Sequence, residues 1–175
     1  MPKGFFSGFC LENESKLFGN VLISNDFTVA GFSFGCQKAF EYAMTTEDRV
    51  DLLQLFSPAF FQNKDKKYKR MQLMYFKKNP KEYSNNFLLN SAFPSQLNLN
   101  EYFNMGSYDE LDALLSYVWD RKSLIKLLEK GTKIEVYLGD EDKIIDTTEA
   151  SLFFKEYASV YYLKNSGHIL KTCDD

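Results

Sequence analysis

The five residues Gly31-Phe32-Ser33-Phe34-Gly35 constrain this chain more than any others. They follow a short apolar run, Phe27-Thr28-Val29-Ala30, of the kind that forms a buried strand. They precede Gln37 to Met44, where Ala39, Phe40 and Ala43 recur at helical spacing. A G-x-S-x-G segment between a strand and a helix predicts a sharp turn, because small flanking residues let the two backbones approach closely. Such a turn lifts the Ser33 hydroxyl above a sheet and sets it at a helix N-terminus. The Phe34 amide then points at the place where negative charge develops in acyl transfer. On the motif alone, a glycine-rich turn without chemistry stands beside this reading.

A serine needs a base, and the chain has a single histidine, His168. It follows the last apolar run, Val160-Tyr161-Tyr162-Leu163, close to the end of the chain. That is where the base belongs in the chain order Ser, then Asp or Glu, then His. The acid should come from the end of the strand before it. There Leu138-Gly139-Asp140-Glu141-Asp142-Lys143 offers Asp140, Glu141 and Asp142, with Asp146 further off. A second oxyanion donor should lie after the first strand, where Ser7-Gly8-Phe9 offers the Phe9 amide. Cys10 and Cys36 lie near these segments and read as small buried hydrophobes rather than nucleophiles.

The remaining pattern alternates short apolar runs with helical periodicity. Gly4 to Phe9 reads as a strand and turn, Glu12 to Ile23 as a helix, and Val50 to Phe56 as a strand closed by Ser57-Pro58. Lys133 to Leu138 is a further strand, followed by a helix from Thr147 to Tyr157. Alternation of this kind predicts an α/β fold with a mainly parallel, doubly wound sheet. Between Ala59 and Lys130 the chain becomes helix-rich, with helices expected over Lys66–Lys77, Pro80–Asn90, Leu97–Asn104, Tyr108–Val118 and Lys122–Lys130. A block inserted after one strand implies a cap over the carboxyl ends of the strands, where open α/β sheets bind ligands. The 175 residues suffice for one domain, 1–175, with 59–130 as the inserted cap.

Net charge is −3, which points to neither nucleic acid nor an anionic membrane. Three cysteines without a C-x-x-C pair argue against a disulfide framework or a zinc knuckle. The opening Met1-Pro2-Lys3-Gly4 lacks the features of a secretory signal and no apolar run is long enough to span a bilayer, so the expected location is cytoplasmic. Aromatic residues reach 17%, enough to fill a small core or to line a greasy pocket. Against the negative total, Lys64, Lys66, Lys67, Lys69, Arg70, Lys77, Lys78 and Lys81 form a local basic run offset only by Asp65 and Glu82. It is either a solvated helix face or a docking surface for an acidic partner. The interleaved Tyr68, Met71, Leu73, Met74, Tyr75 and Phe76 would be its apolar underside.

The elbow Gly31–Gly35, the turn Gly139-Asp140-Glu141-Asp142 and the terminal Gly167-His168 resemble an α/β-hydrolase. In that superfamily the acid commonly lies three residues after a strand-terminal glycine, which implies Asp142. Further segments are similar to the small BioV-type pimeloyl-acyl carrier protein methyl ester esterases. They are Phe5-Phe6-Ser7-Gly8-Phe9 with Asn13-Glu14-Ser15, Val29–Gly35, Leu55-Phe56-Ser57-Pro58, and Leu128–Gly131 with Lys133–Val136. The resemblance runs over essentially the whole chain. It implies a serine carboxylesterase of biotin biosynthesis that frees methanol from the methyl ester of pimeloyl-acyl carrier protein, with Ser33, Asp142 and His168 as triad and no cofactor or metal. It also gives the basic residues an acidic partner, the acyl carrier protein. The stretch between Phe9 and Phe27 is too short for helix–strand–helix, so the fold should be a minimal α/β-hydrolase with a reduced sheet. The same triad would also serve an acyl thioesterase or a broad short-acyl esterase, and a non-catalytic carrier-binding module is the reading from another class.

Overall fold

The computed structural model describes residues 4–175; Met1-Pro2-Lys3, on which the expectation of no leader partly rests, lies outside them. Five parallel strands run β1 (Gly4–Phe6), β2 (Thr28–Phe32), β3 (Leu52–Phe56), β4 (Lys133–Gly139) and β5 (Ser159–Leu163), side by side in chain order. Every carboxyl end therefore opens on the same edge of the sheet. This is a minimal α/β-hydrolase fold, reduced as the short stretch after Phe9 predicts.

Alternation along the strands divides the apolar side chains between two faces. Val29, Leu53, Leu55, Ile134, Val136 and Leu138 point to one face. There they meet helices α1 (Phe34–Thr45), α5 (Arg121–Glu129) and α6 (Thr147–Phe154), which contribute Phe40, Leu124, Leu127 and Phe154. Ala30, Phe32, Phe56 and Tyr137 point to the other, where Phe18 stacks on Phe56 with centroids 4.7 Å apart.

The helix expected over Glu12–Ile23 is reduced to a 3₁₀ segment, Glu14–Phe18. Asn13 enters it in a left-handed conformation and Glu14 is turned inward, so a continuous helix cannot start there. The rest of that stretch lies on the sheet as irregular chain. Its backbone polar groups find a partner in β3: the Gln54 side chain accepts from Ile23 N–H and donates to the Val21 carbonyl.

Between β3 and β4 lie α2 (Lys66–Lys78), α3 (Pro80–Ala92), α4 (Tyr108–Ser116) and α5. The helix expected over Leu97–Asn104 is one 3₁₀ turn, Leu99–Tyr102. Local capping fixes the starts. Asp65 caps α2, Asn79 caps α3 with Pro80 at its first position, and Ser107 with Glu110 forms a reciprocal capping box on α4. α2 packs on both α3 and α4, whereas α5 lies beside α1 against the sheet. Cys10 and Cys36 are buried and reduced, as small apolar residues. Among the described residues no helix is long and apolar enough to cross a membrane.

Candidate active site

Ser33 sits between the end of β2 and the first residue of α1, with φ 52° and ψ −115°. That region is costly for a side chain, by about 1–3 kcal/mol, and persists only where the surroundings over-determine it. Here they do. Ser33 N–H donates to the Phe56 carbonyl at 2.9 Å, and the Ser33 carbonyl accepts from Ala59 and Cys36 N–H, each at 3.1 Å. The flanking glycines allow the close approach. A side-chain carbon on Gly31 would overlap the Gly35 backbone, and one on Gly35 would overlap the Phe6 carbonyl.

From Ser33 a hydrogen-bond chain runs inward. Ser33 Oγ lies 2.9 Å from His168 Nε2, and His168 Nδ1 lies 2.6 Å from Asp142 Oδ2. A carboxylate only accepts, so Nδ1 carries the proton and Nε2 accepts from the serine hydroxyl. The other carboxylate oxygen of Asp142 accepts from Ile144 N–H at 2.6 Å and Ile145 N–H at 3.1 Å. The imidazole and the Asp142 carboxylate are fully buried, so little water competes for these bonds. Asp140 is exposed, and Asp146 instead caps α6 by accepting from Glu149 N–H. Of the acids that spacing left open, Asp142 alone reaches the histidine.

Phe34 N–H is at the first position of α1, where the helix ladder offers no acceptor. Phe9 follows β1 and is buried, with its ring packed on Phe76 and Phe87.

Three further residues hold the arrangement, and sequence reasoning missed their roles. Ser57, left-handed at φ 46° just beyond β3, donates its hydroxyl to the His168 carbonyl at 2.6 Å. Glu14, wholly buried, accepts the Gly8 N–H at 2.7 Å and so ties down the turn carrying Phe9; burial pushes its carboxyl above the ordinary value. Phe87, on α3, sets its ring edge-on to His168. Ser57 and Glu14 lie in segments that resemble the BioV-type esterases, but only contacts across the fold reveal what each one binds.

Beside this chain lies a cavity of about 600 Å³. Its floor comes from strand-end residues, Phe9, Phe61 and Ile144, and its walls from α2, α3 and α4. Tyr75 belongs to that wall while Met74 is exposed, so the apolar underside expected of α2 is only partly inward. Of the basic run, Lys66, Lys67, Arg70, Lys77 and Lys78 are exposed and share one face of α2, with Met74 among them. Lys64 precedes the helix and stands over the Tyr68 ring. Lys69 points away from that face, bonding Ser116 and lying 3.8 Å from Asp112. Among the described residues no cluster of three or more metal-ligating side chains occurs.

No family model and no curated protein matches the chain. Solved structures do. An esterase from Exiguobacterium antarcticum is 15% identical with a TM-score of 0.71, the match covering 96% of this chain and 85% of that one. MenH from S. aureus is 14% identical with a TM-score of 0.58, over 96% and 87%. The naproxen esterase of Bacillus subtilis is 15% identical with a TM-score of 0.60, over 97% and 77%. At such identities the likeness establishes the fold.

Proposed function

We propose that the chain is a serine carboxylesterase acting on the methyl ester of pimeloyl-acyl carrier protein. The observation that carries the hydrolytic chemistry is the buried chain from Ser33 through His168 to Asp142. Ser33 Oγ attacks the ester carbonyl as His168 Nε2 takes its proton, and Asp142 stabilises the imidazolium. The oxyanion is held by the Phe34 and Phe9 amides. His168 returns the proton to the leaving methanol, then takes one from water, whose attack releases the free carboxylate and restores Ser33. The chemistry calls on no metal or organic cofactor.

The substrate rests on other support. The segments similar to BioV-type esterases span the chain, and two of the structures that share its fold are esterases. A cavity of about 600 Å³ that mixes aromatic and aliphatic side chains with polar ones suits a flexible acyl chain with a polar attachment. The exposed basic face of α2 suits an acidic carrier protein, with steering felt mainly in the association rate. In this reading α2, α3 and α4, within 59–130, serve as the cap while α5 belongs to the layer on the sheet, and the reaction belongs to the cytoplasm.

The test is incubation with pimeloyl-acyl carrier protein methyl ester, following the carrier by intact mass. Loss of one methyl group, absent in Ser33→Ala, is the expected result. Loss of the whole acyl chain makes the protein a thioesterase, and an unchanged carrier removes this substrate.

A further inference from the structure

We infer that the Phe9–Phe87 ring pair is the specificity gate of this site, restricting it to esters whose chain is unbranched next to the carbonyl. The inference rests on Ser33 being the nucleophile and names the substrate class it accepts.

The cavity stops short of the chemistry. Phe9, Phe87 and Ile144 line its inner side, whereas Ser33, His168 and Asp142 do not line it. Ser33 is only 3% exposed and His168 not at all. Phe87 lines the cavity and reaches the imidazole, and Phe9 stands against it. Phe9 and Phe87 meet edge to face at 5.5 Å, and Phe87 meets the imidazole edge to face at 6.4 Å. Phe87 also touches both apolar cores, one on each side of the sheet. An ester carbonyl travelling from the cavity to Ser33 Oγ must pass these rings.

The two rings are not equally free. Phe9 is wedged between Phe76, with centroids 6.1 Å apart, and the Gly106 backbone, where even one added carbon would overlap its ring. Phe87 is half-buried on α3, and Asn86 and Asn90 beside it face the cavity. Phe87, the less enclosed of the two, is therefore the ring that moves aside. A polymethylene chain slips past a displaced ring with little further motion. A branch beside the carbonyl must also displace the close-packed Phe9, and each surplus methyl in such a passage costs roughly 10–200-fold in rate.

Two fluorophosphonates test this, one with a linear alkyl group on phosphorus and one with a tert-butyl group. In each, Ser33 Oγ bonds to phosphorus, fluoride leaves, and the serine proton passes to His168. Labelling rates are read by intact mass in the wild type, Phe87→Ala and Phe87→Leu, with melting curves to show that each is folded. The wild type should take the linear probe at least about tenfold faster, beyond the ratio the two probes show toward hydroxide. The excess should fall in Phe87→Leu and nearly vanish in Phe87→Ala; if the alanine variant does not fold, Phe87→Leu decides. No excess in the wild type, or the same excess in the folded variants, overturns the gate. No labelling of any variant by either probe overturns the serine nucleophile itself, and the gate with it.

Discussion

The strand-end loops and the helical segment over them are built on opposite terms. In the loops every reacting group is buried and bonded: Ser33 is held by Phe56, Ala59 and Cys36 backbone, His168 by Ser57 and Asp142, and Asp142 by two amides. In the helical segment α2 turns lysines, Arg70 and Met74 to solvent, and its inward side sends only Phe76 fully into the core while Tyr68, Gln72 and Tyr75 line a cavity. Bond-making geometry requires rigid, water-poor surroundings, whereas an entrance for a long substrate requires space and solvated charge. On the proposed reading the reaction belongs to the floor, and selection to the roof and to the Phe9–Phe87 pair where roof and floor meet.

The contrast breaks hardest at Asp142. Asp142→Asn cannot both satisfy the Ile144 and Ile145 amides and accept from His168 Nδ1, so the imidazole loses its productive tautomer. Turnover should fall by about 10⁴ with little change in melting temperature. A stopped assay showing less than a tenfold loss would remove Asp142 from the triad.

The second effect concerns strain at Ser33. Ser33→Gly relaxes a backbone that Ser33→Ala leaves strained, so glycine should be the more stable of two inactive variants by about 1–3 kcal/mol. Urea unfolding of both decides this, and equal stabilities would mean that the elbow stores no strain.

A third test falls on the roof. Reversing Lys66, Lys67 and Arg70 to Glu should raise KM for a carrier-bound ester about tenfold at low salt and leave kcat unchanged. Hydrolysis of a small soluble ester should not change. An equal loss on both substrates would show that α2 supports the fold or the cavity rather than the carrier.

The smallest effect is a pH slope from Glu14. Its folded value is raised by burial, so between the ordinary 4.5 and that raised value the folded state binds more protons than the unfolded chain. Stability should therefore decline as pH rises through that window and level off above it. Glu14→Gln, compared by denaturant titration across pH, should remove the decline; a matching slope in both proteins would assign it to other groups.

The amino-acid sequence by itself determined the elbow, the order of elements and the one histidine open to a serine as its base. A G-x-S-x-G turn between an apolar run and a helical pattern leaves few conformations, and one histidine leaves no choice of base. Most helices and strands were legible because periodicity and caps act over a few residues. Glu12–Ile23 was misread for the opposite reason. Its apolar spacing is helical, but Glu14 bonds to Gly8 and Val21 and Ile23 to Gln54, so contacts outside the segment overrode its local preference. Spacing alone left Asp140, Glu141, Asp142 and Asp146 open. The tertiary structure set Asp142, which the resemblance implies, against the histidine, since carboxylates in one short stretch differ in burial and direction rather than in type. It also set Ser57 behind His168, and Phe87, on a helix remote in the chain, against the imidazole. Such pairings depend on where distant elements dock, a global packing outcome that no local pattern encodes.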